Sequence, residues 1–489
     1  MKKNIKWLLL VSLTFMAACN NDDDNKTPEE VPVTPGSAVF TKYVALGDSF
    51  AAGYSDNALF KRGQEGAYTN ILAQQFVAAG GGTFTTPFMN DNIGGLLFSG
   101  NVVAGTRLYF NGTGPVNVTG TPTTEVTTHL TGTFNNLGVP GAKSFHLLAA
   151  GYGNAAGVPS GASNPYFARF ASTPSATVLA DAVVQAPTFF SLFIGGNDVL
   201  SYAISGGIGK DQKGNLNPAT YGSNDITDPT VFANVYSTLV TTLTTNGAKG
   251  VVANLPYITA LPYFTTVPYN PATLTAALST QLNSGYAAYN GGLDQLVLAQ
   301  KVSAEEAARR KVVFKEGKNA VVIVDSYLTN LSAYGLPSYR QATKDDLVIL
   351  SARTFIGTTV GGDPTKVNGL SVPLADNWVL TKDETLEVKN ATDAYNTTIL
   401  AVANEKGLAF VDTRAVLTQL ATTGIRFGNF SLTSAYVTGG AFSLDGIHPS
   451  ARGYALIANI FVDAINEKYG STLRHVDLST YPIQYPATL

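Results

Sequence analysis

Tyr43-Val44-Ala45-Leu46 is an unbroken apolar run, and Gly47-Asp48-Ser49-Phe50 follows it directly. Four apolar residues stopped by glycine read as a strand buried on both faces, as in a parallel sheet. The same rhythm recurs along the chain. An amphipathic helix is expected around Ala67–Ala79, where Ile71, Leu72, Phe76 and Val77 fall at helical spacing. A shorter helical piece covers Ser144–Ala150, and Thr188–Ile194 is a second strand-length apolar run, ending at Gly195-Gly196. A helix at Thr230–Thr245 leads to a strand at Gly250–Leu255. Helices at Leu274–Ala299 and Asn377–Lys406 precede a strand at Leu408–Val411, and a last helix covers Ala451–Tyr469. Apolar strands alternating with helices predict an α/β fold, a three-layer α/β/α sandwich around a parallel sheet.

Parallel sheets hold their ligands beyond the carboxyl ends of the strands, so the residues just past each run carry the most information. Four blocks stand there or lead into the last helix: Gly47–Phe50, Asn136-Leu137-Gly138-Val139-Pro140-Gly141, Gly195-Gly196-Asn197-Asp198 and Asp445-Gly446-Ile447-His448-Pro449. Each alone is ordinary turn or cap vocabulary. Together they are complementary. Ser49 offers a hydroxyl, a weak nucleophile that needs an adjacent base. His448 can be that base, because an imidazole takes and returns a proton near neutrality. Asp445, three residues earlier, can turn back to hold the other ring nitrogen. The Asn197 amide and the N–H groups of Gly141 and Ser49 can then supply three donors to an oxyanion.

These residues resemble the SGNH (GDSL-like) hydrolase family, named for its Ser, Gly, Asn and His. The serine motif reads Gly-Asp-Ser-Phe, with Phe50 in place of the usual Leu. By that resemblance Ser49 is the nucleophile, Asn197 the asparagine of Gly-x-Asn-Asp, and Asp445 with His448 the Asp-x-x-His pair. The family's glycine donor falls on Gly141, with Gly138 as the alternative. The resemblance implies a flavodoxin-like hydrolase domain over residues 40–489, needing neither metal nor organic cofactor. Residues near 80–135, 151–178 and 312–375 are then additions to the compact family core.

Competing chemistries find less support. No serine lies in a Gly-x-Ser-x-Gly elbow. The four histidines show no metal-ligand spacing, and His129, His146 and His475 read as structural or surface residues. Asn224-Asp225 reads as a turn, and Ser326 after Asp325 as a decoy. The net charge is −3, charged residues make up 13%, and no basic stripe is visible, so nucleic acid is not an expected partner.

The amino terminus carries its own signal. Lys2, Lys3 and Lys6 precede the apolar run Trp7–Ala18, too short for the ~20 residues of a membrane-spanning helix. Residues 1–18 therefore read as a signal peptide. Met16-Ala17-Ala18-Cys19 resembles a bacterial lipobox, which makes Cys19, the single cysteine, a lipidated first residue of the mature chain. Residues 19–39 are expected as a flexible tether, rich in Asn, Asp, Pro and Glu. The acidic run Asp22–Asp24 resembles an export signal to the outer surface. The location expected is the bacterial envelope, lipid-anchored, at the outer membrane.

Pro256-Tyr257, Pro262-Tyr263-Phe264 and Pro268-Tyr269 repeat in the segment after the Gly250–Leu255 strand. Proline stiffness and aromatic walls there mark Tyr257 and Tyr263 as candidate substrate-binding residues for an acyl chain. The expectation is a serine esterase or lipase acting on an acyl lipid or acylated glycan. A carbohydrate O-acetylesterase and a non-catalytic glycan-binding lipoprotein are the alternatives, since fold alone does not choose the substrate.

Overall fold

A computed structural model describes residues 32–489 and contains a five-stranded parallel sheet. Its strands are β1 (Tyr43–Gly47), β2 (Asn136–Gly138), β3 (Phe189–Phe193), β4 (Lys249–Ala253) and β5 (Ala409–Val411). Their spatial order is β2-β1-β3-β4-β5, the flavodoxin-like arrangement, with its switch point between β1 and β3. The register decides where the site sits. Gly47 pairs with both Gly138 and Phe193, so the segments leaving β1, β2 and β3 emerge at one level of one edge.

The principal helices are α1 (Ser49–Ala52), α2 (Tyr68–Val77), α3 (Val178–Val183), α4 (Asn197–Ile204), α5 (Pro229–Thr244), α6 (Ala276–Leu298), α7 (Ala304–Arg310), α8 (Lys382–Glu405), α9 (Thr413–Thr422) and α10 (Ala451–Tyr469). α2 packs with α10, and α5 packs with both α3 and α8, giving the two helical layers of an α/β/α sandwich. α10 starts where the sequence says it should. Ser450 caps it by accepting the Gly453 N–H at 3.0 Å, and Gly470, at φ +67°, ends it. Tyr454, Phe461, Val462 and Ile465 of α10 are buried on the sheet, each worth roughly 1.5–3 kcal/mol of apolar burial.

Three features differ from the sequence reading. β2 is only three residues and opens with Asn136, so no apolar run announces it. α6 lies where a helix was expected but does not cover the sheet. Its Leu282, Tyr286, Tyr289 and Leu293 join Phe314, Val322 and Leu370 in a separate core, and α8 is the helix that returns to β5. The boundary expected at Val312 therefore cuts through this second core, and the strands of 312–375 are short two-stranded ribbons.

The signal peptide, Cys19 and most of the tether fall on residues outside those described. Residues 33–39, expected as the end of the tether, pack with the rest of the domain. Ser37 N–H donates to the Tyr469 carbonyl at 2.8 Å, and Ala38 is buried. Among the described residues no helix is long and apolar enough to cross a membrane.

Candidate active site

Ser49 stands two residues beyond β1, at the first position of α1, a helix of a single turn. Asp48 caps that turn by accepting the Phe50 N–H at 3.0 Å, which leaves the Ser49 N–H without a partner among the described residues. Burial pushes the Asp48 carboxyl up to about 7, against the opposing pull of the Phe50 N–H and of His448. The Ser49 side chain is buried at its base, and its Oγ lies 2.9 Å from His448 Nε2.

His448 sits at the end of the segment that leads into α10. Its ring lies between Tyr54 and Phe50, with centroids 4.7 and 5.6 Å away. Nδ1 is 2.9 Å from Asp445 Oδ2. Asp445 is itself fully engaged: Oδ1 accepts the N–H groups of Ile447 and His448, each at 2.8 Å, and Oδ2 accepts the Asn57 N–H at 2.9 Å. Burial alone would raise this carboxyl, but His448 and the N–H donors together hold it below the usual carboxylate range. With Nδ1–H donated to Asp445, Nε2 is left to accept the serine proton.

Two further groups arrive at the same edge. Asn197 opens α4, and its Nδ2 donates to the Ala142 carbonyl at 3.0 Å, leaving a second amide hydrogen. Asp198, the next residue, accepts the N–H and hydroxyl of Ser144 and so ties α4 to the segment after β2. The structure separates the two candidate glycines. The Gly138 N–H is taken by Asn136 Oδ1 at 3.0 Å, and a Cβ there would come within 2.3 Å of the Ala52 nitrogen. Gly138 is a close-packing residue. Gly141, at φ +80°, is exposed, and its N–H has no partner among the described residues.

The two tyrosines part company. Tyr263 touches the loop of Asp445–His448: its N–H donates to the Gly446 carbonyl at 2.9 Å. Tyr257 lies in a surface depression with Asp412 and Arg414, its hydroxyl bonded to Asp393, and makes no contact with Ser49 or His448. The residues read as bystanders have local partners. His146 stacks on Tyr152 at 4.4 Å, and burial lowers it to about 4. His475 pairs with Asp463, and Asp225 accepts the N–H of Gly222 within its turn and that of Lys210 from an earlier segment. Asp325, beside Ser326, is paired with Arg340.

One pair escaped the sequence reading. Asp56 and Asn57 both have left-handed backbones, at φ 51° and 63°. The Asp56 carboxyl accepts the Leu444 N–H and the Asp56 N–H donates to Ser443 Oγ, each at 3.0 Å, while the Asn57 N–H donates to Asp445. An Asp-Asn pair signals such a turn. Nothing local in the sequence says that this turn grips a loop 388 residues away.

A buried carboxylate, an oriented imidazole and a hydroxyl in line, with unpaired N–H groups nearby, can perform acyl transfer. A family model for GDSL-like lipases/acylhydrolases matches residues 43–461, most of the chain. The protein is thus a carboxylic ester hydrolase. It belongs to the GDSL-like lipase/acylhydrolase family, as the resemblance at Ser49, Asn197 and His448 implied. No match was found among curated proteins.

Among solved structures the chain is similar to an acetylxylan esterase from Geobacillus stearothermophilus, at 12% identity and TM-score 0.32 over 88% of this chain and 96% of that one. It is similar also to LAE5, an alpha/beta hydrolase from the metagenome of Lake Arreo, Spain, at 10% identity and TM-score 0.33 over 88% and 96%. A phospholipase A1 from Streptomyces albidoflavus NA297 matches at 13% identity and TM-score 0.28 over 88% and 100%. Likeness this distant carries no argument about substrate.

Proposed function

We propose that the protein hydrolyses carboxylic esters through an acyl-enzyme on Ser49, with His448 as proton carrier and Asp445 fixing the imidazole. The observation that carries the reading is the pair of 2.9 Å contacts, Ser49 Oγ to His448 Nε2 and His448 Nδ1 to Asp445 Oδ2. In acylation Oγ attacks the ester carbon while its proton passes to Nε2. The oxyanion faces the N–H groups of Ser49 and Gly141 and the spare amide hydrogen of Asn197. Nε2 then protonates the leaving alcohol as the C–O bond breaks. Water, losing its proton to the same nitrogen, releases the acid and restores Ser49.

The acyl group in this reading is longer than acetyl, as in a lipase-like enzyme. A small apolar cavity of about 60 Å³, lined by Phe50, Phe193, Leu261, Leu417, Pro449 and Ile457, supports it, since the Phe50 ring in its wall lies 5.6 Å from the His448 ring. The same reading places the enzyme in the bacterial envelope, held by lipid on Cys19 at the outer membrane. A fluorophosphonate probe tests the nucleophile. Labelling should map to the peptide containing Ser49 and vanish in Ser49→Ala; labelling at another serine would overturn the assignment.

A further inference from the structure

A cleft of about 910 Å³ lies between Phe110, Leu274, Arg353 and Tyr436, within the size range of small-molecule sites. Added regions build its walls. Phe110 and Pro115 come from the ribbon of Leu108–Phe110 and Pro115–Asn117, and Leu274 and Ile356 from the region between β4 and β5. Tyr436 and Val437 come from a turn ahead of Asp445.

Two contacts join this cleft to the candidate site. Tyr436 Oη donates to the carbonyl of Leu444, the residue before Asp445, at 2.6 Å. On the other side the helical turn Leu350–Thr354 meets Gly446, where an added Cβ would lie 3.0 Å from Leu350 Cδ2. The same turn brings Arg353 to the cleft.

Among the described residues Arg353 is the only lysine, arginine or histidine lining the cleft, whose walls are otherwise apolar, aromatic or hydroxyl-bearing. It is exposed, and its guanidinium makes no hydrogen bond or ion pair among the described residues. Val437 adds a second, independent sign. It holds φ +67°, an outlier for a β-branched residue, in a tight turn closed by the Thr438 N–H on the Tyr436 carbonyl at 2.8 Å. Strain of this kind persists only where its surroundings enforce it, and it gathers at ligand sites.

We propose that this cleft receives the alcohol part of the ester and that Arg353 recognises an anionic group on it, a phosphate or a carboxylate. The proposal rests on the triad assignment above. A guanidinium donates in bidentate, charge-assisted fashion to either anion, and the apolar walls cover the uncharged remainder. Tyr436 and the turn that bears Arg353, both at the cleft, contact Leu444 and Gly446 of the segment that carries His448, and that contact is what ties the cleft to the alcohol side of the ester.

Two matched pairs of esters test it on the full chain: 1-acylglycerol 3-phosphate against the 1-monoacylglycerol of equal chain, and O-acetylated glucuronic acid against O-acetylated glucose. In at least one pair the anionic member should have the higher kcat/KM by roughly ten- to a hundredfold. Arg353→Gln should bring that ratio to within about twofold of unity, and Arg353→Glu below it. Preference confined to the first pair identifies phosphate, and to the second, carboxylate. A wild-type ratio near unity in both pairs, or one that Arg353→Gln leaves unchanged, overturns the proposal while the triad stands. If no ester is turned over and fluorophosphonate does not label Ser49, the triad assignment falls, and this proposal with it.

Discussion

Asn197 donates one amide hydrogen to the Ala142 carbonyl and carries a second. If that second donor meets the oxyanion, whose charge exists only in the transition state, Asn197→Ala should lower kcat by about 10²–10³ with KM little changed. A change in KM alone would make Asn197 a ground-state binding residue. Asp56 carries a prediction about stability. Burial pushes its carboxyl up to about 7, whereas an unfolded aspartate ionises near ~3.9. Between those values the unfolded chain sheds a proton that the folded one keeps, so this group's contribution is full below about pH 4 and lost as pH rises through about 7. Asn tolerates the left-handed backbone and keeps an acceptor for the Leu444 N–H. Asp56→Asn should therefore match the wild type near pH 4 and exceed it above pH 7 by roughly 1–3 kcal/mol, read from Tm at the two pH values. Equal stability at both would mean that the folded carboxyl is ionised. Ser49, Asn197, Asp445 and His448 could be picked out as candidates because each follows a strand or precedes a helix in a short, chemically specific block. Only the family resemblance favoured Gly141 over Gly138, because what divides them physically is the Asn136 side chain and the approach of α1.

The segment from Pro256 to Tyr269 does more than one thing. Pro256 and Leu261 line the apolar cavity near Phe50, Tyr263 holds Gly446, and Thr266–Pro268 face the wider cleft. If the cavity takes the acyl chain, each covered methylene adds at most ~0.8 kcal/mol, so four more carbons raise kcat/KM by up to about two orders of magnitude. A series of p-nitrophenyl esters from acetate to decanoate should peak at medium chains. A steady fall from acetate onward would instead describe a tight acetyl pocket and an O-acetylesterase. Long periodic elements such as α5, α8 and α10 were legible from apolar spacing. α6 shows the limit: its spacing marks a helix, yet says nothing about which of two cores takes its apolar face. β2 failed for the opposite reason, being three residues with an asparagine whose side chain bonds Ala51 and Thr69.

The added regions are where sequence reading stops, because their short ribbons pair residues that no local period links. They nevertheless wall the wide cleft, contributing the ribbon around Phe110 and the turn around Arg353. The amino terminus bears on the whole protein's location. Cys19→Ser should leave the signal peptide uncut or release the protein from membranes in fractionated cells, since stable anchoring requires more than one buried acyl chain. Persistent membrane fractionation of a cleaved Cys19→Ser protein would refute lipid attachment. All of this presupposes that Ser49 and His448 act as one unit. Steady-state kcat/KM for a p-nitrophenyl ester, compared among Ser49→Ala, His448→Ala and the double variant, addresses that most directly. Each single substitution should cost on the order of 10⁴ or more, and the double should fall no further. Turnover by Ser49→Ala near the wild-type rate, or losses that multiply in the double variant, would contradict the triad.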